Sequence, residues 1–411
     1  MPPRTPSWPS DDSIAMSDRI AITGMGVVSP IGQGVEAFWA GLINGVSGIT
    51  TIERFATHDL RVRRGGEIKQ LVGLLVGDQP LPACRASQFL IYAAAEATRM
   101  AHLQDSTAPD TCLAVVVGSA LGGIAEAERW YERPGDLHAL ATATYDGPTR
   151  NLARWLRATG PVLTISTACA SGATSLGLAA DLLRAGAATA VVAGGVDVLC
   201  RFVMRGFNHL RSLTRDEVRP FDRRRQGLLL GEGAGLVVLE RASAARQRGV
   251  TPYGYLLGHA SCADGAHITA PDPAGRGLEQ AMRLALANAG IQGEAIEFIS
   301  AHGTGTPLND SMETLVFKKI LGQRAYAVPV NSIKAHMGHT MGAAATLETI
   351  MCLLAWRYGE IPPTLNYGEP DPACDLDYVT GQARVYRPRL SLNTAAGFAG
   401  CNACLVLEGA A

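Results

Sequence analysis

Val162-Leu163-Thr164-Ile165, followed by Ser166-Thr167-Ala168-Cys169-Ala170-Ser171-Gly172-Ala173, is the stretch whose reading decides the fold. The first four residues form an apolar run of strand length, and Thr174–Ala185 carries the Ala/Leu pattern of a helix. Cys169 is therefore expected in a tight strand-to-helix turn. Small neighbours leave its sulfur approachable, and the unpaired N–H groups opening the helix favour an anion there, so a thiolate gains over a thiol. The competing reading is a buried structural cysteine in an Ala/Gly-rich segment.

Two later stretches favour the nucleophile. Ser300-Ala301-His302-Gly303-Thr304-Gly305-Thr306-Pro307-Leu308-Asn309-Asp310 follows the apolar run Ala295–Ser300. Val330-Asn331-Ser332-Ile333-Lys334-Ala335-His336-Met337-Gly338-His339 leads into an Ala-rich helix. All three turns end a strand, and two of them deliver a histidine. Parallel α/β sheets collect catalytic groups at strand ends, and a nucleophilic cysteine needs imidazoles to manage charge and protons.

With these three motifs the chain resembles the β-ketoacyl-acyl carrier protein synthases, elongating condensing enzymes of the thiolase superfamily. The resemblance runs through Ile20–Pro30, Arg219-Pro220-Phe221-Asp222, Leu230–Gly235 and His267–Pro271, covering roughly residues 18 to 411. It implies an α/β, thiolase-like five-layer αβαβα fold with two duplicated halves. The first half, residues 19–254, would carry Cys169. The second, residues 255–411, would carry Lys334, His302 and His339.

The resemblance also implies roles. Cys169 takes the acyl group from acyl carrier protein, while His302 and His339 promote decarboxylation of malonyl-carrier protein and stabilise the enolate. Lys334 disfavours protonation of the imidazoles. Either Glu313 or Glu348 is expected to balance Lys334, both as structural supports; Thr304 and Thr306 are expected to support the histidine turn, and Asp310 to cap a helix over Ser311–Leu321. The backbone N–H groups of Cys169 and Phe398 make the oxyanion hole. Phe398 lies in Gly397-Phe398-Ala399-Gly400, where the family has Gly-Phe-Gly-Gly, and Ala396 replaces a usual phenylalanine. Arg225-Gln226-Gly227-Leu228 stands where many relatives have Arg-Asp-Gly-Phe. Leu121, in Gly118-Ser119-Ala120-Leu121-Gly122-Gly123, reads equally as an acyl-pocket wall, beside Phe398, or as core packing. Arg64, Arg201 and Arg205 are expected to dock the acidic carrier protein by charge complementarity. The partner would be a second copy or a chain-length-factor-like ketosynthase. A non-condensing subunit of such a heterodimer is the alternative function, although such subunits typically lack the cysteine. A Cys-His thioester hydrolase leaves Lys334 and the second histidine unexplained.

Composition narrows the remaining classes. A formal charge of −1 over 411 residues makes no electrostatic case for nucleic acid. The hydrophobic share of 47 % supports extensive burial, and nine cysteines without an export signal read as reduced thiols in the cytoplasm. Residues 1–18, Pro/Ser-rich with Asp11-Asp12, are expected to be a disordered N-terminal extension, with Met16 an alternative start. Met341–Trp356 contains Glu348 and suits a buried helix better than a membrane span, so no membrane is expected. Short β-branched runs alternate with Ala/Leu-rich segments along the chain, which implies a largely parallel sheet covered by helices.

No metal or other cofactor is expected, because the resemblance implies that substrates arrive on the phosphopantetheine arm of acyl carrier protein. Cys401 and Cys404 have zinc-like spacing without a second ligand pair. A three-histidine site from His302, His336 and His339 is disfavoured by the intervening lysine and the activated cysteine. Gly231–Gly235 precedes a strand rather than a helix, so it is no dinucleotide fingerprint. The segments Asp197–Phe202, Gly206–Asn208 and Arg85–Gln88 resemble synthases of aryl-polyene or type II polyketide pathways more than housekeeping fatty-acid enzymes.

Overall fold

A computed structural model describes residues 19–71, 82–103 and 112–410. The extension expected over residues 1–18 lies outside the described residues. Among the described residues, the main path of the large sheet takes five strands from each half; those of the first are β1 (Ile20–Ser29), β2 (Leu113–Gly118), β3 (Val162–Ile165), β4 (Ala190–Asp197) and β5 (Gly233–Arg241). Those of the second are β6 (Gly254–Ala263), β7 (Phe298–Ser300), β8 (Val330–Asn331), β9 (Leu390–Gly397) and β10 (Cys401–Gly409). The spatial order is β3-β2-β4-β5-β1 in one half and β8-β7-β9-β10-β6 in the other. Both therefore follow the same path, third-second-fourth-fifth-first. In each, the first three strands of that path run parallel and the last two antiparallel. This repeat of order and direction is the duplication that residue identities alone do not display. The halves join where Ile20–Ile22 of β1 pairs with Gly254–Leu256 of β6.

The layers follow from which alternate residues each strand presents. Val116, Val191 and Val237 of the first half share a core with Leu256, Leu405 and Leu407 of the second. Between them lie helices α3 (Ser171–Arg184) and α7 (Ala344–Tyr358). The opposite faces, through Val115, Val117, Val192 and Val238, pack against α1 (Arg85–Met100), with α2 (Gly147–Leu156) beside it. On the far side, Ile299, Leu392 and Val406 pack against α5 (Arg276–Ala289) and α6 (Pro307–Leu321). Each sheet is covered on both faces, so its strands read as continuous apolar runs rather than alternating ones. The order is helix, sheet, helix, sheet, helix. Helix α7 is buried all round from Ala344 to Ala355, as a helix in the middle layer must be. Among the described residues, no helix is long and apolar enough to cross a membrane.

Two helix starts differ from expectation. Helix α3 opens at Ser171 rather than Thr174, which brings its first turn directly behind Cys169. Helix α6 opens at Pro307, with extended Thr306 at its N-cap position. Proline suits the first helical position because it lacks an N–H that would go unpaired there. Asp310 therefore sits inside the first turn and does not cap the helix; its carboxylate accepts instead from the backbone N–H of Phe221 at 2.7 Å and of Gly305 at 3.2 Å.

Candidate active site

Cys169 follows β3 through a turn in which Ala168 takes a left-handed φ of 49°. Ser171 holds that turn: its Oγ accepts from Thr167 N–H at 3.0 Å and donates to the Ala168 carbonyl at 2.5 Å. Gly397 backs the nucleophile closely, since a Cβ there would meet Cys169 N at 3.0 Å. The thiol is 7 % exposed. Burial pushes it up to about 12, Asp197 adds to the rise, and Lys334 and the Phe398 N–H oppose it. The resting site thus holds a neutral thiol, contrary to the thiolate expected from the helix start alone. Close packing removes more solvation than the helix N-terminus returns.

His302 lies two residues beyond β7. Glu313 of α6 braces its turn, accepting from His302 N–H at 2.8 Å and Gly303 N–H at 2.7 Å. The same carboxylate accepts from Asn309 Nδ2 at 2.9 Å and Thr394 Oγ1 at 3.0 Å. Glu313 is fully buried, which pushes it up to about 7. It supports the His302 turn, and of the two glutamates offered to balance Lys334 it is Glu348 that does so. Lys334 Nζ bonds Glu348 Oε1 at 2.6 Å, with both side chains about 2 % exposed.

The rings of His302 and His339 meet edge to face, with centroids 5.1 Å apart. Burial, aided by the Lys334 charge, holds both imidazoles well below the usual histidine value, so both are neutral. Among the described residues, His302 Nδ1 and both ring nitrogens of His339 have no hydrogen-bond partner. His336 is turned elsewhere, its ring nitrogens bonding the carbonyls of Val46 and Pro363, so a three-histidine ligand set does not form.

Cys169, His302, His339, Thr304, Thr306 and Phe398 all line one cavity of about 70 Å³. Thr304 and Thr306 pair through their hydroxyls at 2.9 Å. The cavity has room for a couple of waters and no acyl chain. Two of its lining residues, Phe398 and Phe207 of α4 (Arg201–His209), stack with ring centroids 5.4 Å apart. Ala399, beside Phe398, holds a left-handed φ of 62°. Phe207, Thr269 and Asn309 also line the cavity, and the sequence reading assigned none of them to it. Phe207 had a signal, since an aromatic residue five positions from Phe202 lies on a different helix face. Leu121 does not line the cavity; it packs one layer behind, against the cluster holding Phe207 and Leu228.

The arginines expected to dock a partner lie on one side of the molecule but are not all free. Arg201 pairs with Glu132 at 3.2 Å and Arg205 with Asp59 at 2.6 Å. Arg64 is half-buried in the short strand Arg64–Gly66.

A buried cysteine from one half, sharing a cavity with two neutral imidazoles from the other half of a duplicated five-layer fold, defines a thiolase-like acyl-transfer enzyme. The chain belongs to the β-ketoacyl synthase family: its residues 17–245 match the beta-ketoacyl synthase N-terminal domain and residues 253–368 the C-terminal domain. It is 38 % identical, over 95 % of its length and 96 % of the relative, to the tetracenomycin polyketide synthase ketoacyl synthase alpha subunit of Streptomyces glaucescens. It is 34 % identical, over 95 % of its length and 98 % of the relative, to 3-oxoacyl-[acyl-carrier-protein] synthase 2 of Synechocystis sp.. Among solved structures, the ishigamide ketosynthase/chain length factor superposes with a TM-score of 0.91 at 36 % identity, covering 96 % of this chain and 99 % of that one. The chain is thus a condensing acyltransferase.

Proposed function

We propose that this chain is a β-ketoacyl-acyl carrier protein synthase that condenses malonyl-carrier protein with an acyl chain held on Cys169, in fatty-acid, polyene or type II polyketide synthesis. The observation that carries the reading is the shared cavity, in which a thiol faces two neutral imidazoles with unpartnered nitrogens. In the first step the sulfur attacks the incoming acyl thioester. Its proton passes by way of an imidazole to the departing pantetheine thiolate, and the N–H groups of Cys169 and Phe398 hold the oxyanion. In the second, His302 and His339 donate hydrogen bonds to the malonyl thioester carbonyl. Carbon dioxide leaves, the electron pair becomes the enolate, and its carbon attacks the acyl carbonyl on Cys169. The C–S bond breaks with its electron pair going to the sulfur, which takes a proton from solvent to restore the thiol, and a carrier-bound β-ketoacyl chain two carbons longer departs. Neutral imidazoles suit this because each carries one N–H to give, and a positive Lys334 resists a second proton.

The non-condensing, chain-length-factor-like alternative is disfavoured because Cys169, His302 and His339 are all present and assembled. A partner is expected at β3, the sheet edge, whose Val162 is exposed. That partner is a second copy or a chain-length-factor-like ketosynthase. Acyl carrier protein docks on the arginine-bearing side through Arg64, Arg201 and Arg205, of which Arg205 lines a cavity of about 1090 Å³ together with Ile124, Tyr131, Phe202 and Leu210. Arg201 and Arg205 would exchange their internal partners for carrier carboxylates. No resident cofactor is needed, since substrates arrive on the carrier's phosphopantetheine arm, and the site of action is the cytoplasm.

The test is intact-mass spectrometry of the chain, alone and with its partner, against a series of acyl-carrier proteins followed by malonyl-carrier protein. The expected result is an acyl adduct lost in Cys169→Ala, then a carrier-bound product two carbons longer. Absence of any adduct under every pairing would move the non-condensing subunit to first place.

A further inference from the structure

Asp197 ends β4, is 1 % exposed, and has no part in the chemistry above. Its carboxylate accepts four hydrogen bonds. Oδ1 takes Ser119 Oγ at 2.7 Å and Leu121 N–H at 3.0 Å. Oδ2 takes Ala120 N–H at 2.8 Å and Gly342 N–H at 2.6 Å. Two separate pieces of the site therefore hang from one side chain: the Ser119–Leu121 loop, and the turn that follows His339.

The second attachment is built under constraint. Met341, next to Gly342, is buried at φ 51°, a conformation that L residues adopt at a cost. Gly342 fits only because it lacks a Cβ, which would meet Asp197 Oδ2 at 2.7 Å and Ser119 Cα at 2.8 Å. Its carbonyl lies so close that a Cβ on Gly195 would approach it to 2.0 Å and one on Gly172 to 2.6 Å. Gly172 belongs to the helix behind Cys169. From the other side, His339 is tied by its N–H to the Leu229 carbonyl at 2.7 Å. The His339 turn is thus anchored at one end by backbone pairing and at the other by the Asp197 carboxylate.

We propose that Asp197 is a positioning residue for the condensation: by fixing Gly342 and the Ser119–Leu121 loop to one point, it sets where His339 stands relative to the acyl group on Cys169. This rests on the condensing reading above. A charge-accepting anchor on a strained turn matters most to the step that needs His339 aligned, the decarboxylation of the malonyl thioester, and little to loading of Cys169. Burial pushes the Asp197 carboxyl up to about 6 even with its four donors, so it is anionic at neutral pH and binds N–H groups more strongly than a neutral acceptor. Asp197→Ala removes the acceptor of both attachments, whereas in Asp197→Asn the amide NH2 faces Ser119, whose hydroxyl turns to accept it, and the amide oxygen keeps the Gly342 N–H.

The experiment measures two rates on the full chain with its partner: loading of Cys169 from octanoyl-carrier protein, and release of carbon dioxide from malonyl-carrier protein. Asp197→Ala is expected to load at least as fast as the parent while decarboxylation falls roughly 30-fold, the loss of one charge-assisted hydrogen bond. Asp197→Asn, which keeps an acceptor for the Gly342 N–H, is expected to lose far less decarboxylation than Asp197→Ala. Should Asp197→Ala not accumulate as folded protein, Asp197→Glu, which keeps the charge but pushes it one methylene too far, is read by the same two rates. Parallel loss of both rates, or loss of neither, overturns the role. A parent chain that neither loads nor decarboxylates overturns instead the condensing reading on which the role stands.

Discussion

Removing the Lys334 charge separates its structural contribution from its electrostatic one. Lys334 and Glu348 are each about 2 % exposed and bonded at 2.6 Å, so deleting either leaves a buried charge with no counterion. Such a loss costs about 3–5 kcal/mol, while replacing both partners with neutral groups is nearly free. Lys334→Met and Glu348→Gln should each lower the urea midpoint by a large share of the total stability, and the double variant should recover most of it. The recovered protein then lacks the charge that, after burial, does most to keep His302 and His339 neutral. In the parent, both imidazoles titrate well below 6.5, so malonyl decarboxylation should stay flat as pH falls through 6.5 and drop only beyond it. In the double variant the acid limb should move upward, toward 6.5. The same shifts carry a stability sign: the unfolded chain takes up protons first as pH falls below 6.5, so these residues' contribution to stability is lost on acidification. Additive destabilisation in the double variant, or an acid limb that does not move, would refute the reasoning.

Other outcomes follow from the same geometry. Phe398→Ala removes the stack on Phe207, worth about 0.5–1.5 kcal/mol, and should speed loading with long acyl chains relative to short ones, read by intact mass. Ala399→Gly trades relief of a left-handed alanine against a looser unfolded chain, each about 1 kcal/mol; thermal stability should barely change, while loading becomes faster. Gly195→Ala would place a Cβ 2.0 Å from the Gly342 carbonyl with backbone on both sides, and should cost about 3 kcal/mol or more in urea unfolding. Lysine at Val162, which is 39 % exposed on the edge strand β3, should lower the dimer fraction in sedimentation.

Cys169, His302, Lys334 and His339 were legible in the sequence because each sits at the end of a local pattern, an apolar run breaking into a turn of small or polar residues. Strand, turn and helix are decided mainly by neighbours in sequence, so the motif and the layered class could be read together. The helix starts were misjudged by a few residues where proline and small residues open a helix without an apolar signal, as at Pro307 and Ser171; Asp310 was consequently assigned a cap it does not make.

Tertiary structure alone decided what each of these residues faces. That Phe207 stacks on Phe398 in the cavity wall, that Arg201 and Arg205 already hold Glu132 and Asp59, and that Asp197 reaches Gly342 across 145 residues of chain depend on which strands lie side by side. Protonation belongs with them: the helix start behind Cys169 argued for a thiolate, and burial by segments far away in sequence overrode it. Local sequence sets which groups are offered at a strand end. The free energy of a buried charge, thiol or ring is set by the solvent it loses and the partners it meets, and both are supplied by the packing of distant segments.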